Sequence, residues 1–234
     1  MPTRGASFTA GRLWQLVTII VVLASLGTQL VLVIRGVDVL VPGGRETPGT
    51  ARRVVNFFSY FTVQSNILLA VGAATLVTDP RRDGPGWRVL RFAGVIGITI
   101  TGIVFVTVLR PIVDLEGTSA LTNAGMHYVA PLLGVVGWLL FGPHPRIDVR
   151  TLLWTLAWPV AWLGYILVWG AATDWYPYPF VDVAAHGYGQ VLLNSAVITV
   201  LFLAVAWAFM AFDRRLGRTA VTTLPGPPAA ADRT

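Results

Sequence analysis

The chain has 234 residues, 55% of them hydrophobic and only 12% charged, with a mean hydropathy of +0.68. Soluble domains carry about 25% charged residues, so most of this chain has no water to face and a soluble fold is excluded. The net charge of +6 comes from 17 basic residues, all arginine, and they stand beside apolar blocks, a pattern of membrane orientation rather than nucleic-acid binding.

In chain order, the first apolar block covers 13–34. It is too long for the h-region of a signal peptide and has no clear small-residue cleavage site, so it is expected to be retained as a first span after a short N-terminal segment, 1–12. Pro42-Gly43-Gly44 breaks the pattern, and a second block covers 54–77. Asp79-Pro80-Arg81-Arg82 precedes a third block at 91–109, which Pro111 closes. The fourth covers 123–141 and ends at Pro143-His144-Pro145, where His144 is expected to be solvated. The fifth covers 152–171, followed by Pro177-Tyr178-Pro179, and the sixth covers 187–212. Lengths near 20 residues cross about 30 Å of hydrocarbon, and Pro and Gly clusters punctuate helices. The residues predict an all-α bundle of six transmembrane helices over 13–212, with a disordered tail at 213–234 whose Pro, Ala and Thr cannot build a core.

Arginine placement sets the orientation. With the N-terminus inside, twelve arginines fall in inner segments and five in outer loops. The bias predicts both termini on the cytoplasmic side of the cell membrane. Cysteine is absent, which removes disulfides and thiol nucleophiles. No small-xxx-small repeat argues for an oligomer, and the expected partners are membrane lipids, with no nucleic acid.

Polar residues inside spans are the informative ones, because each costs free energy unless partnered. No span interior holds Asp or Glu, which weighs against a proton-coupled or cation-coupled transporter. Three clusters remain. In the second block Ser59, Thr62 and Asn66 fall on one helical face beside Gln64 and Ser65. In the fourth, Asn123, His127 and Pro131 are spaced by four, and the sixth opens with His186, Gln190 and Asn194 at the same spacing. All three polar faces fall in the outer half of the bilayer, where one pocket could gather them. No cofactor is expected: a haem site would have to use His127 with His186, and the second histidine pair of a two-haem bundle is missing.

The stretches Phe58-Ser-Tyr-Phe-Thr-Val-Gln-Ser-Asn66, Asn123…His127…Pro131, Trp138-Leu-Leu-Phe-Gly-Pro143 and Trp175-Tyr-Pro-Tyr-Pro-Phe-Val-Asp182 resemble a group of bacterial six-span membrane proteins. That group is distantly similar to the androgen-induced protein family of animals, intramembrane threonine hydrolases acting on fatty acid esters of hydroxy fatty acids. The resemblance implies that Thr62 is a nucleophile and His127 its base, acting on a lipid ester. One departure is Gly137, where relatives often carry an acidic residue. On this reading Asn66, Gln64 or a backbone N–H would hold the oxyanion and Asn123 would orient the imidazole. Arg110 would receive a lipid carboxylate or phosphate, and His186 and Gln190 would line the outer pocket. Only Asp114 or Asp182 could supply an orienting acid. The competing reading is a non-catalytic protein, a lipid or small-molecule carrier or a subunit of a membrane complex, whose polar faces join helices.

Overall fold

In lipid, a chain satisfies its backbone groups only as helices or a closed barrel. The computed structural model, which describes residues 4–37, 48–144 and 146–222, is helical apart from its connections and has no strand among them. The helices are α1 (Arg4–Ile34), α2 (Thr50–Ser59), α3 (Phe61–Thr78), α4 (Pro85–Val104), α5 (Gly117–Ala124), α6 (Ala130–Phe141), α7 (Val149–Thr173) and α8 (Val183–Thr222). Six helical runs are long and apolar enough to cross a membrane: Thr9–Ile34, Phe61–Thr78, Pro85–Ile112, Gly117–Phe141, Val149–Thr173 and Val183–Gly217. The fold is a six-transmembrane-helix bundle. The expected breaker at 42–44, Pro145 and the tail from 223 onward lie outside the described residues.

Several boundaries differ from the expected ones. The second block is two helices, because Tyr60 turns to extended backbone (φ −65°, ψ 131°) between α2 and α3. Its ring is held edge-on by Trp175 and Tyr178, so a tertiary aromatic contact overrides helix continuity. The third span begins at Pro85, in the first turn of α4, where a missing N–H leaves no bond unmade. α8 begins at Val183, kinks at Gly187 (φ 73°) and runs to Thr222, well into the stretch expected to be disordered.

Two further departures are π-helical turns, Phe105–Leu109 after α4 and Gly125–Val129 between α5 and α6. Each is centred four residues before a proline, Pro111 and Pro131 respectively. Proline has no N–H for the carbonyl four residues back and crowds it sterically, and a wider turn absorbs both problems. Gly102 lets the second of these turns pack close: a Cβ there would lie 3.1 Å from the Pro131 ring and 3.4 Å from the His127 carbonyl oxygen.

α4 is the centre of the bundle, with residues 91–98 buried without interruption. It packs on α3 through small residues, as helices in lipid do when packing must replace a hydrophobic drive. A Cβ on Gly94 would lie 2.8 Å from the Leu68 carbonyl carbon and 2.9 Å from the Leu69 nitrogen. Backbone cannot swing aside as a side chain can. Gly94→Ala is therefore expected to force α3 and α4 apart, lowering stability by about 1–3 kcal/mol in a melting experiment on detergent-solubilised protein.

Charged groups gather at the face where α8 ends. Arg146 meets Asp83 at 3.4 Å, and Asp83 also receives both arms of Arg88, at 2.7 and 2.8 Å. The Arg88 guanidinium holds the Asp83 carboxyl well below the usual carboxylate range. His144 is not solvated as expected. Its side chain is only 10% exposed, and its Nδ1 lies 2.6 Å from an Asp213 carboxylate oxygen. The cause is the extra length of α8, which carries Asp213 beneath the 142–147 segment. At the opposite, distal face, Arg53 donates to the carbonyls of Val33 and Ile34, both at 2.9 Å, closing the end of α1. Arg52 reaches the Thr173 carbonyl at the same face.

Candidate functional site

The break at Tyr60 makes Thr62 a first-turn residue of α3, where main-chain N–H groups have no partner inside their own helix. No side chain of α3 itself caps this end. The Tyr178 phenol does so from the α7–α8 connection: the Thr62 N–H donates to its oxygen at 3.1 Å. Pro177 and Pro179 flank Tyr178, and the proline that follows restricts Tyr178 to extended backbone (φ −139°, ψ 144°), which fixes the ring's direction. Its ring stacks on Phe180 at 5.2 Å and meets Tyr60 edge-on at 5.6 Å. Burial pushes the Tyr178 phenol up to about 12, so it stays protonated at neutral pH.

Thr62 Oγ1 lies 3.2 Å from the Tyr178 hydroxyl and 3.3 Å from His127 Nε2. The other imidazole nitrogen, Nδ1, lies 3.1 Å from the Asn123 carbonyl oxygen. A carbonyl only accepts, so Nδ1 carries the proton and Nε2 presents its lone pair to Thr62. Donor directions then run one way: Tyr178 O–H to Thr62 Oγ1, Thr62 O–H to His127 Nε2, His127 Nδ1–H to the Asn123 carbonyl. His127 occupies the middle of one π-helical turn, and its ring stacks at 4.2 Å on Phe105, the first residue of the other. Such turns recur at functional sites because they re-aim a side chain without ending the helix.

Beside this chain of hydroxyls lies a cavity of about 120 Å³ between α3, α4, α7 and α8. Thr62 and Tyr178 sit on its wall, and Leu156, Leu163, Ile198 and Phe202 make much of the remainder apolar. Pro159, inside α7, also lines it. The arrangement offers a hydroxyl with an aligned base, a neutral phenol donor and room for a hydrocarbon chain.

The expected residues divide as follows. Thr62 and His127 meet, although their helices are far apart in sequence. Asn123 reaches the ring with its main-chain carbonyl instead of its side chain. Asn66 is fully buried, and its amide N–H groups go to the carbonyls of Thr62 (2.9 Å) and Met126 (3.4 Å), so it splints α3 to the His127 turn and has no donor for an oxyanion. Gln64 is committed to the Trp158 indole and the Phe58 carbonyl. Arg110 is exposed at the distal end of the third span and donates to the Val113 carbonyl at 3.3 Å. His186 and Gln190 are exposed, outside the cavity lining. Gln190 holds Asn194, which in turn donates to the Phe180 carbonyl and tethers the strap carrying Tyr178. Asp182 serves as a helix cap, accepting from the Ala185 N–H at 3.1 Å. At Gly137 a side chain would collide with the Trp14 indole, which donates to the Leu133 carbonyl.

Tyr178 is the residue that the pattern of polar spacing missed, and Pro-Tyr-Pro was its available signal. Tyr178→Phe removes the acceptor for the Thr62 N–H while keeping the ring. It is expected to lower stability by about 1–3 kcal/mol, the cost of a buried unpaired donor, read as a reduced melting temperature. No family model, curated protein or solved structure matches this chain.

Proposed function

We propose that this six-span membrane protein is a threonine hydrolase of acyl esters dissolved in the bilayer, with Thr62 as nucleophile and His127 as base. One observation carries the reading: the aligned Tyr178–Thr62–His127–Asn123 chain meets an apolar cavity at Tyr178 and Thr62. The resemblance of 58–66 and 123–131 to a bacterial six-span group, itself distantly similar to intramembrane threonine hydrolases, points the same way.

Thr62 gives its proton to His127 Nε2 as Oγ1 attacks the ester carbonyl, forming the new C–O bond. The carbonyl oxygen becomes an oxyanion beside the first turn of α3, where the helix dipole is positive and the Tyr178 O–H is a neutral donor. The imidazolium is held by the Asn123 carbonyl and by the Phe105 ring face. Collapse expels the alcohol, which takes the proton from Nε2 and leaves an acyl-threonine. Water, deprotonated by Nε2, attacks this ester, and its collapse returns the proton to Thr62 and releases the carboxylic acid. The acyl chain occupies the cavity throughout.

The test is turnover of a long-chain acyl ester by purified protein in detergent, together with labelling by a fluorophosphonate probe of serine and threonine hydrolases. Turnover and labelling are the expected result. Saturable ester binding without either would replace this reading with that of a lipid carrier.

A further inference from the structure

On the terminal side of the bundle, away from Thr62, α1, α3, α4 and α6 line a second, much smaller and partly open pocket of about 20 Å³. Besides Thr18, whose hydroxyl donates to the Trp14 carbonyl, two polar side chains on its wall are more than nine-tenths buried: Gln15, 9% exposed, and Arg91, 7% exposed. Neither is well satisfied by protein. Among the described residues, the Arg91 guanidinium makes one long hydrogen bond, 3.5 Å to the Pro143 carbonyl, and leans on the Trp87 ring at 5.5 Å. Gln15 makes no hydrogen bond through its amide to any described residue. The apolar Leu69, Val95 and Leu133 complete much of the wall.

Among the described residues, no carboxylate makes a salt bridge with Arg91. Asp213 is the attractive carboxylate in its field, and Arg146 is repulsive. Asp213 is already engaged elsewhere, accepting from the main-chain N–H groups of Arg146 and Ile147 and facing His144 Nδ1 at 2.6 Å. A buried guanidinium without a counter-ion is costly in a low-dielectric interior.

We infer that Arg91 and Gln15 form a binding site for a small monovalent anion of halide size. The small volume suits that class: one water-sized sphere needs about 10–15 Å³, so a single particle of that size fits beside the two polar groups. Water would fit but leaves the charge uncompensated, whereas a halide accepts from the guanidinium and the Gln15 amide and neutralises it.

The experiment measures melting of the detergent-purified full chain as chloride replaces gluconate at constant ionic strength. Wild type is expected to gain stability saturably with chloride. Arg91→Met, which keeps the length and loses the charge, is expected to lose the chloride effect entirely. Gln15→Leu, which keeps Arg91, is expected to need about tenfold more chloride for half the effect, the loss of one hydrogen bond to a charge. If Arg91→Met fails to fold, the Gln15→Leu shift decides. Equal melting in chloride and gluconate overturns the site, as does a chloride effect unchanged in Gln15→Leu.

Discussion

Thr62→Ala is expected to reduce ester turnover by about 10⁴-fold or more, to the level of the solvent reaction, because among the described residues no other hydroxyl is aligned with His127. His127→Ala removes only the base and is expected to lose about 10²–10⁴-fold. The double variant should be no slower than Thr62→Ala alone, since the two groups act as a unit and their effects do not add. Thr62→Ser keeps the hydroxyl and should retain measurable turnover and probe labelling. Melting curves accompany each assay. Thr62→Ala gives up hydrogen bonds to Tyr178 and His127 worth about 1 kcal/mol each, too little to unfold a bundle whose core lies on α4. A folded Thr62→Ala that still turns over ester would refute the nucleophile assignment, whatever His127→Ala does.

The physics of the residues explains which parts of this arrangement could be read beforehand. Six spans were legible because an apolar block near 20 residues has only one stable backbone in lipid. Their ends were less so. The block at 54–77 carries no Pro or charged residue to mark a break, and the packing of Tyr60 against Trp175 and Tyr178 divides it. α8 outruns its apolar block because Asp213 is held beneath the 142–147 segment, and no hydropathy pattern contains that contact.

Helical spacing was a mixed guide to the site. It works within α3, where Asn66 reaches back to the Thr62 carbonyl. It fails at the start of α8, because Gly187 is non-helical and the four-residue step from His186 to Gln190 crosses the kink. At His127 the spacing from Asn123 held through the main-chain carbonyl, while the π-helical turn chose the direction of the ring. A proline four residues after a polar residue in a span marks both turns, Thr107–Pro111 and His127–Pro131, but Thr155–Pro159 has the same spacing inside an unbroken α7, so the spacing by itself does not specify the turn.

Asp213→Ala is expected to be the most destabilising single substitution on the terminal face, by about 3–5 kcal/mol. The carboxylate is fully buried and accepts from three donors: His144 Nδ1 at 2.6 Å and the main-chain N–H groups of Arg146 at 2.5 Å and Ile147 at 2.7 Å. Alanine strands all three, and two of them belong to the backbone and cannot turn toward water without unfolding the segment that leads into α7. His144→Ala should cost less, because it removes one donor to Asp213 and one bond to the Trp138 carbonyl while the backbone contacts remain. Adding His144→Ala to Asp213→Ala should therefore change little more, for the main-chain donors are already unpaired. Asp213→Asn separates charge from geometry: its amide oxygen can still accept from the Arg146 and Ile147 N–H groups while its NH₂ donates to Nδ1 of a neutral His144, so most of the loss should be avoided. Melting in detergent and the rate of proteolysis within 142–148 measure both effects. Ester turnover per folded molecule should stay at the wild-type value, since the Thr62 site shares none of these bonds. If His144→Ala proves as damaging as Asp213→Ala, the ion pair, and not the carboxylate's grip on the backbone, holds this end of the bundle together.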